Sequence, residues 1–207
     1  DDSITGDSAN NSITGGLGND TLLGGLGDDT LRGWIGDDSV LGGNGDDFIV
    51  GGVGNDTLLG GDGNDVLGNG DDNTGDWMDG GDGDDMLYID SAAVLTIDGG
   101  VGTDELWILQ NGGNFTDIND NQFANIESIH LAHTINISFA NQSEGLTIVA
   151  ATASSETIVG GSGADSILTS AAADSLLGGA GHDTIKSGAG NDTITLSVDS
   201  ASIDLAD

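Results

Sequence analysis

The chain has 207 residues with 38 Gly, no Cys and no Pro, and its 36 acidic side chains face two basic ones, for a formal net charge of −34. That balance excludes nucleic acid as a partner, because phosphate binding needs Lys and Arg, and it disfavours anionic membrane surfaces for the same reason. Nor does any apolar run approach the ~20 residues of a membrane-spanning helix, and with aromatics at 4% the composition alone reads as disorder.

The pattern along the chain argues otherwise. From the start, a large apolar residue recurs every ninth position: Ile4, Ile13, Leu22, Leu31, Val40, Ile49, Leu58 and Leu67. After an insertion at 69–72 the beat resumes at Met78, Leu87, Ile97 and Leu106. It is expected again at Val149, Ile158, Ile167, Leu176, Ile185, Ile194 and Ile203. Between beats stand turns such as GGLGND, GGLGDD, GGNGDD, GGVGND, GGDGND, GGDGDD and GGAGHD. Glycine suits turn positions that need φ > 0 or close backbone approach. The last three residues of each repeat read as a short strand whose middle residue points inward and whose neighbours point outward. Two repeats then form one coil of a flattened right-handed solenoid. Leu22, Val40 and Leu58 stack on one inner wall, and Leu31, Ile49 and Leu67 on the other.

One apolar residue in nine is too little burial to offset the backbone entropy of nine ordered residues. The turns must add free energy. Asp20, Asp29, Asp38, Asp47, Asp56, Asp65, Asp76, Asp85, Asp104, Asp165, Asp174, Asp183 and Asp192 hold the sixth position of successive turns. Stacked one coil apart, two such carboxylates repel by ~3 kcal/mol at an effective dielectric near 20. A divalent cation between them reverses the sign. The donors on offer are carboxylates and turn carbonyls, with no Cys and no recurring His, a hard-oxygen set that suits several Ca²⁺ ions better than Mg²⁺ or Zn²⁺. The turn glycines in that set are Gly16, Gly18, Gly25, Gly27, Gly43, Gly45, Gly52, Gly54, Gly61, Gly63, Gly81, Gly83, Gly179 and Gly181. Asn44, Asp62 and Asp82 at the third position are further oxygen donors.

In tandem this is GGxGxDxUx, with U a large apolar residue, and the chain resembles the RTX family of secreted bacterial proteins on those residues. Good matches run over 15–68, 80–88, 99–107, 160–168 and 178–195. The resemblance implies a calcium-binding parallel β-roll that leaves the cell unfolded through a one-step secretion system and folds outside. The expected fold class is all-β: a right-handed parallel β-roll with a less regular central segment. The chain divides into a calcium-binding β-roll at 1–107, an irregular β-solenoid spacer at 108–149 and a second roll at 150–207, expected to stack as one continuous solenoid.

Several stretches depart from the pattern. Residues 69–79 keep Asp76 and Met78 but lack paired glycines, which points to a bulged coil. GWIGDD places Trp34 where a second glycine belongs. TSAAADSLL keeps Asp174 without a turn glycine, and ATASSETIV offers Glu156 for Asp, so both read as coils without a full calcium site. In the middle, FANIESIHLA, TINISFA and GLTIVAA alternate as strands do, with a short helix expected near 117–125. The ninth-position residues Leu23, Leu41 and Leu59 form an outward apolar stripe, and Trp77, Tyr88 and Trp107 are also outward candidates. Asp1 and Asp207 both fall within a repeat, which points to excision from a longer roll or to head-to-tail stacking of copies.

Nothing reads as an enzyme. Arg32 and Lys186 sit in distant coils, and His130, His133 and His182 fit no nucleophile–base spacing. The repetition of acids at every coil is ligand geometry, not a general acid/base pair. The expected function is a structural calcium-binding segment of an extracellular or cell-surface protein: surface layer, adhesin or filament. Its partners would be calcium, other copies of itself, surface proteins or polysaccharide. The competing reading is a secretion and folding module of a hydrolase or toxin whose catalytic domain lies outside this chain.

Overall fold

A computed structural model describes residues 1–70, 75–90, 96–109, 114–115, 122–150, 153–196 and 202–204, and every regular element among them is a strand. The chain clusters into two compact units, residues 1–106 with 124–126 and residues 107–123 with 127–207.

In the first unit the strands follow the nine-residue beat: β1 (Ser3–Thr5), β2 (Ser12–Leu17), β3 (Thr21–Leu26), β4 (Thr30–Ile35), β5 (Ser39–Asn44), β6 (Phe48–Val53), β7 (Thr57–Asp62), β8 (Val66–Gly68), β9 (Trp77–Asp82), β10 (Met86–Ile89) and β11 (Thr96–Val101), before β12 (Glu105–Ile108). Odd strands β1 to β11 lie in one sheet and even strands β2 to β10 in another, each pairing in parallel with the strand two places on. A coil is therefore two repeats. One inner wall stacks Leu22, Val40, Leu58, Met78 and Ile97 in register. The other stacks Ile13, Leu31, Ile49, Leu67 and Leu87. All but Ile13 are at most 1% exposed, so a single aliphatic column per wall makes a dry core.

The strands β2 to β7, β9 and β11 are six residues long rather than the three expected. They continue through Gly-Gly-x, because the pairing survives the bend: Gly25 stays opposite Gly43 and Leu26 opposite Asn44. The stripe of Leu23, Leu41 and Leu59 is in register, but Leu41 alone of the three is exposed and its neighbours are half-buried. The most exposed apolar ladder is instead Leu17, Ile35 and Val53, on the turn edge.

The second unit contains β13 (Asn114–Phe115), β15 (Ser128–Leu131), β16 (Asn136–Ser138), β17 (Thr147–Ala150), β18 (Thr157–Val159), β19 (Ser166–Thr169), β20 (Ser175–Leu177), β21 (Thr184–Lys186), β22 (Thr193–Thr195) and β23 (Ser202–Asp204), with β14 (Phe123–Ala124) at the junction of the two sequence ranges. Strands β15, β17, β19, β21 and β23 neighbour one another in one sheet; β13, β16, β18, β20 and β22 do so in a second. Here the inner column is Ile129, Ile148, Ile167 and Ile185. Val149, expected to face in, is half-buried, while Ile148 and Ala150 are buried. Ten residues rather than nine separate Ile148 from Ile158, and that extra residue inverts the alternation. The three alternating stretches of the middle segment do form strands β14 to β17. Residues 117–121 of the expected helix lie outside the described residues, and Phe123–Ala124 is a strand. Phe115, Phe123, Phe139 and Leu146 enlarge the core. Trp107 lies flat on His130, with ring centres 4.3 Å apart and planes within 7°.

Candidate metal centres

Because side chains alternate along a strand, the residue two before an inward one also faces in. That residue is the sixth-position aspartate. Asp20, Asp29, Asp38, Asp47, Asp56, Asp65, Asp76, Asp85 and Asp104 are at most 3% exposed. Burying so many carboxylates in a chain with two bases demands a second source of compensation.

Half of each carboxylate finds it in the backbone. Oδ1 of Asp38 accepts the Asp20 N–H at 2.7 Å, Oδ1 of Asp47 that of Asp29 at 2.7 Å, and Oδ1 of Asp65 that of Asp47 at 2.7 Å. The series runs from the Asp2 N–H on Asp20 to the Asp85 N–H on Asp104, with distances of 2.6–2.8 Å throughout. Each aspartate thus caps the coil before its own. The other oxygen is left over. Oδ2 of Asp20, Asp29, Asp38, Asp47, Asp65 and Asp85 is buried without a hydrogen-bond partner.

These leftover oxygens share one location. Each lies beside the first glycine of its own turn, where a Cβ on Gly15, Gly24, Gly33, Gly42, Gly60 or Gly80 would strike it. At the last five the same Cβ would also strike the carbonyl of the first glycine one coil on: Gly42, Gly51, Gly60, Gly80 or Gly99 respectively. A carboxylate oxygen and a carbonyl oxygen from successive coils therefore converge where the sequence keeps a side chain out. Among the described residues no three acidic or histidine side chains gather at one point, so a cation here would draw on carbonyls as much as on carboxylates. That donor set fits Ca²⁺, which takes six to eight oxygens in adaptable geometry. When bound, the ion supplies positive charge to a column that has none.

The cost of the bare column shows in its acidity. Burial raises the pKa of Asp38, Asp47 and Asp85 above the ordinary carboxylate value, and pushes Asp65 up to about 7, against the opposing pull of the Asp47 N–H. Neighbouring aspartates add to the rise by repulsion.

The glycines chosen from sequence, Gly16 through Gly83 with Gly179 and Gly181, all lie in the left-handed region. Gly43 shows why: at φ 123° its missing Cβ is replaced by close approach of the Gly25 carbonyl. The residue directly facing the leftover carboxylate oxygen, however, is the first glycine, which the sequence reading did not single out. Trp34 keeps the turn it interrupts by adopting φ 86° itself.

In the second unit Asp165, Asp174 and Asp183 are buried and Asp192 half-buried. Here the capping bonds are longer, 2.9–3.1 Å, from the N–H groups of Leu146, Glu156, Asp165 and Asp174. Asp165 is fully used by the backbone: Oδ1 accepts Leu146 N–H and Oδ2 accepts Gly161 N–H at 2.7 Å. Gly161, unlike the second glycine of the turns at Gly25, Gly43 and Gly61, lies outside the left-handed region. Asp174 keeps a buried Oδ2 without a hydrogen bond although its turn has no glycine. Glu156, in an aspartate's place, is 1% exposed.

A second ladder was not foreseen. The fifth-position side chains accept N–H groups in the opposite sense: Asn19 from Asp37 at 3.0 Å, Asp37 from Asn55 at 2.9 Å, Asp46 from Asn64 at 2.8 Å and Asn64 from Asp84 at 2.8 Å. The signal was present as the Asn or Asp before nearly every sixth-position Asp.

A parallel β-solenoid with buried aspartate columns in glycine turns defines a calcium-binding β-roll, a structural and typically non-catalytic fold. The family model for the RTX calcium-binding nonapeptide repeat (4 copies) matches residues 1–31, 32–67, 41–75, 75–90, 151–185 and 159–194, more than half the chain, and the chain belongs to that family. No match was found among curated proteins. RTX repeats bind calcium and are typical of secreted proteins. Among the described residues no helix is long and apolar enough to cross a membrane.

Proposed function

We propose that this chain is a non-enzymatic structural segment of a secreted or cell-surface bacterial protein, of the surface-layer, adhesin or filament kind, which calcium folds outside the cell. The observation that carries the reading is the column of buried Oδ2 atoms, of which those of Asp29, Asp38, Asp47, Asp65 and Asp85 each lie beside a carbonyl of the next coil. Without a cation the column opposes folding. With one at each turn, binding and folding become a single equilibrium. The irregular segment at 108–149 between repeat blocks supports a scaffold that spaces its rolls. Sixth-position Asp20 through Asp104, with Asp174, Asp183 and Asp192, are the side-chain ligands of this proposal. Asp165 is the weakest member, since both its oxygens already hold N–H groups.

A far-UV circular dichroism titration of the full chain tests it, with calorimetry for the number of ions. The expected result is a β spectrum in millimolar calcium that collapses in EDTA. A spectrum indifferent to EDTA would reject calcium-driven folding. Imaging of calcium-loaded material tests the scaffold role, which predicts ordered assemblies.

A further inference from the structure

The turn Gly33–Asp38 carries a feature that no other turn has among the described residues. Its second position faces Gly16 on one side and Gly52 on the other, yet holds Trp34 at φ 86°. A bulky side chain in that region is strained, and such strain concentrates at sites of use. The strain here is not repaid by burial, because Trp34 is 57% exposed. Trp34 instead lines a groove of about 440 Å³ together with Ile35, Val50, Val53 and the glycines Gly51, Gly52 and Gly70. That size is in the range of small-ligand sites.

Arg32 lines the same groove. It is the single Lys or Arg of the first unit, in a chain of 36 acids. Even so, its guanidinium lies over the Phe48 ring, 5.5 Å from the centroid, and forms no ion pair with any described carboxylate. A ring-stacked guanidinium keeps its edge N–H donors for an outside acceptor.

We propose that the Trp34 groove binds a small apolar anion, one aromatic or aliphatic body with a single carboxylate or sulfonate. The hydrocarbon lies against Trp34, Ile35 and Val53, and the anionic group meets Arg32. A single charge matters, because a polyanion would be repelled by the remaining surface. A second copy of the chain is a poorer occupant: the groove takes in only eight residues from three neighbouring coils, far short of the ~800 Å² per partner of a stable protein interface.

The probe is 8-anilino-1-naphthalenesulfonate, titrated by fluorescence into the calcium-loaded full chain, with uncharged N-phenyl-1-naphthylamine beside it. The expected result is saturable one-site binding of the sulfonate. Arg32→Gln should weaken the sulfonate about tenfold and leave the uncharged probe within twofold, whereas Trp34→Gly should weaken both about tenfold. Trp34→Gly restores the glycine that φ 86° favours, so a calcium midpoint that is unchanged or lowered by circular dichroism shows the roll intact. Absent or non-saturable binding, or equal sulfonate affinity in wild type and Arg32→Gln, overturns the proposal. So does a calcium-dependent dimer in sedimentation that Trp34→Gly abolishes, which would give the groove to a second copy.

Discussion

The two units solve the same problem with different materials. In the first, glycine pairs recur almost without exception, capping bonds are 2.6–2.8 Å long, and six Oδ2 atoms are left over. In the second, Ser, Ala and Glu intrude on the turns, the same bonds stretch to 2.9–3.1 Å, and Asp165 spends its second oxygen on Gly161. The second unit compensates with a larger apolar core that includes Phe139, which is wholly buried. The first unit thus keeps buried carboxylate oxygens free of hydrogen bonds at its turns, and the second relies more on packing and backbone bonds.

The largest effect that should separate them is calcium removal. In EDTA the amides of Leu22, Val40 and Leu58 should lose hydrogen-exchange protection before those of Ile148 and Ile167. Equal loss in both units would erase the distinction.

Next come two matched substitutions. Asp47→Asn keeps the Oδ1 bond and removes an anionic ligand. It should cost about 1–3 kcal/mol in calcium yet stabilise the metal-free state, where a buried unpaired charge disappears. Asp165→Asn breaks the Gly161 bond and should cost about 1–3 kcal/mol with calcium or without. Denaturant midpoints in both conditions check the crossing of signs.

A smaller effect is expected with pH. The raised carboxylates favour the folded, metal-free chain when protonated. That advantage is complete below the ordinary value of 3.8 and fades as pH rises to about 7, the value for Asp65. Protons and calcium compete for the same oxygens, so the calcium midpoint should move to higher concentration as pH falls through 7. Calcium titrations at pH 6 and 8 would show it. The smallest effect separates conformation from crowding: Gly16→Ala, in open space at φ 113°, should cost about 1–2 kcal/mol, and Gly43→Ala more, because the Gly25 carbonyl must move. Melting temperatures of the two variants in calcium measure the gap.

Much of this was readable beforehand, for a physical reason. A period of nine with an apolar residue at one fixed place admits few folds, so Leu22, Val40 and Leu58 announced their wall, and the positive φ of Gly25 or Gly61 followed from the turn. Reading failed where position is set by neighbours rather than by type. Val149 and Ile148 are equally apolar, and only the pairing of Ile148 with Ile129 and Ile167 tells them apart. The motif fixes Gly24 and Gly42 but not their role, which is to leave room for an aspartate oxygen and for a carbonyl one coil away. Nor could spacing reveal that Asp165 is already satisfied, since that depends on the conformation of Gly161.

The capping bond does not insist on a fixed interval. It links Asp20 to Asp38 across 18 residues, Asp56 to Asp76 and Asp65 to Asp85 across 20, and Asp85 to Asp104 across 19, at 2.7–2.8 Å each time. The ladder counts anchor points and ignores the length of chain between them. Foreign sequence spliced between two anchors would therefore be carried as a loop, which makes the roll a natural display frame whose rungs stay aligned whatever hangs from its sides.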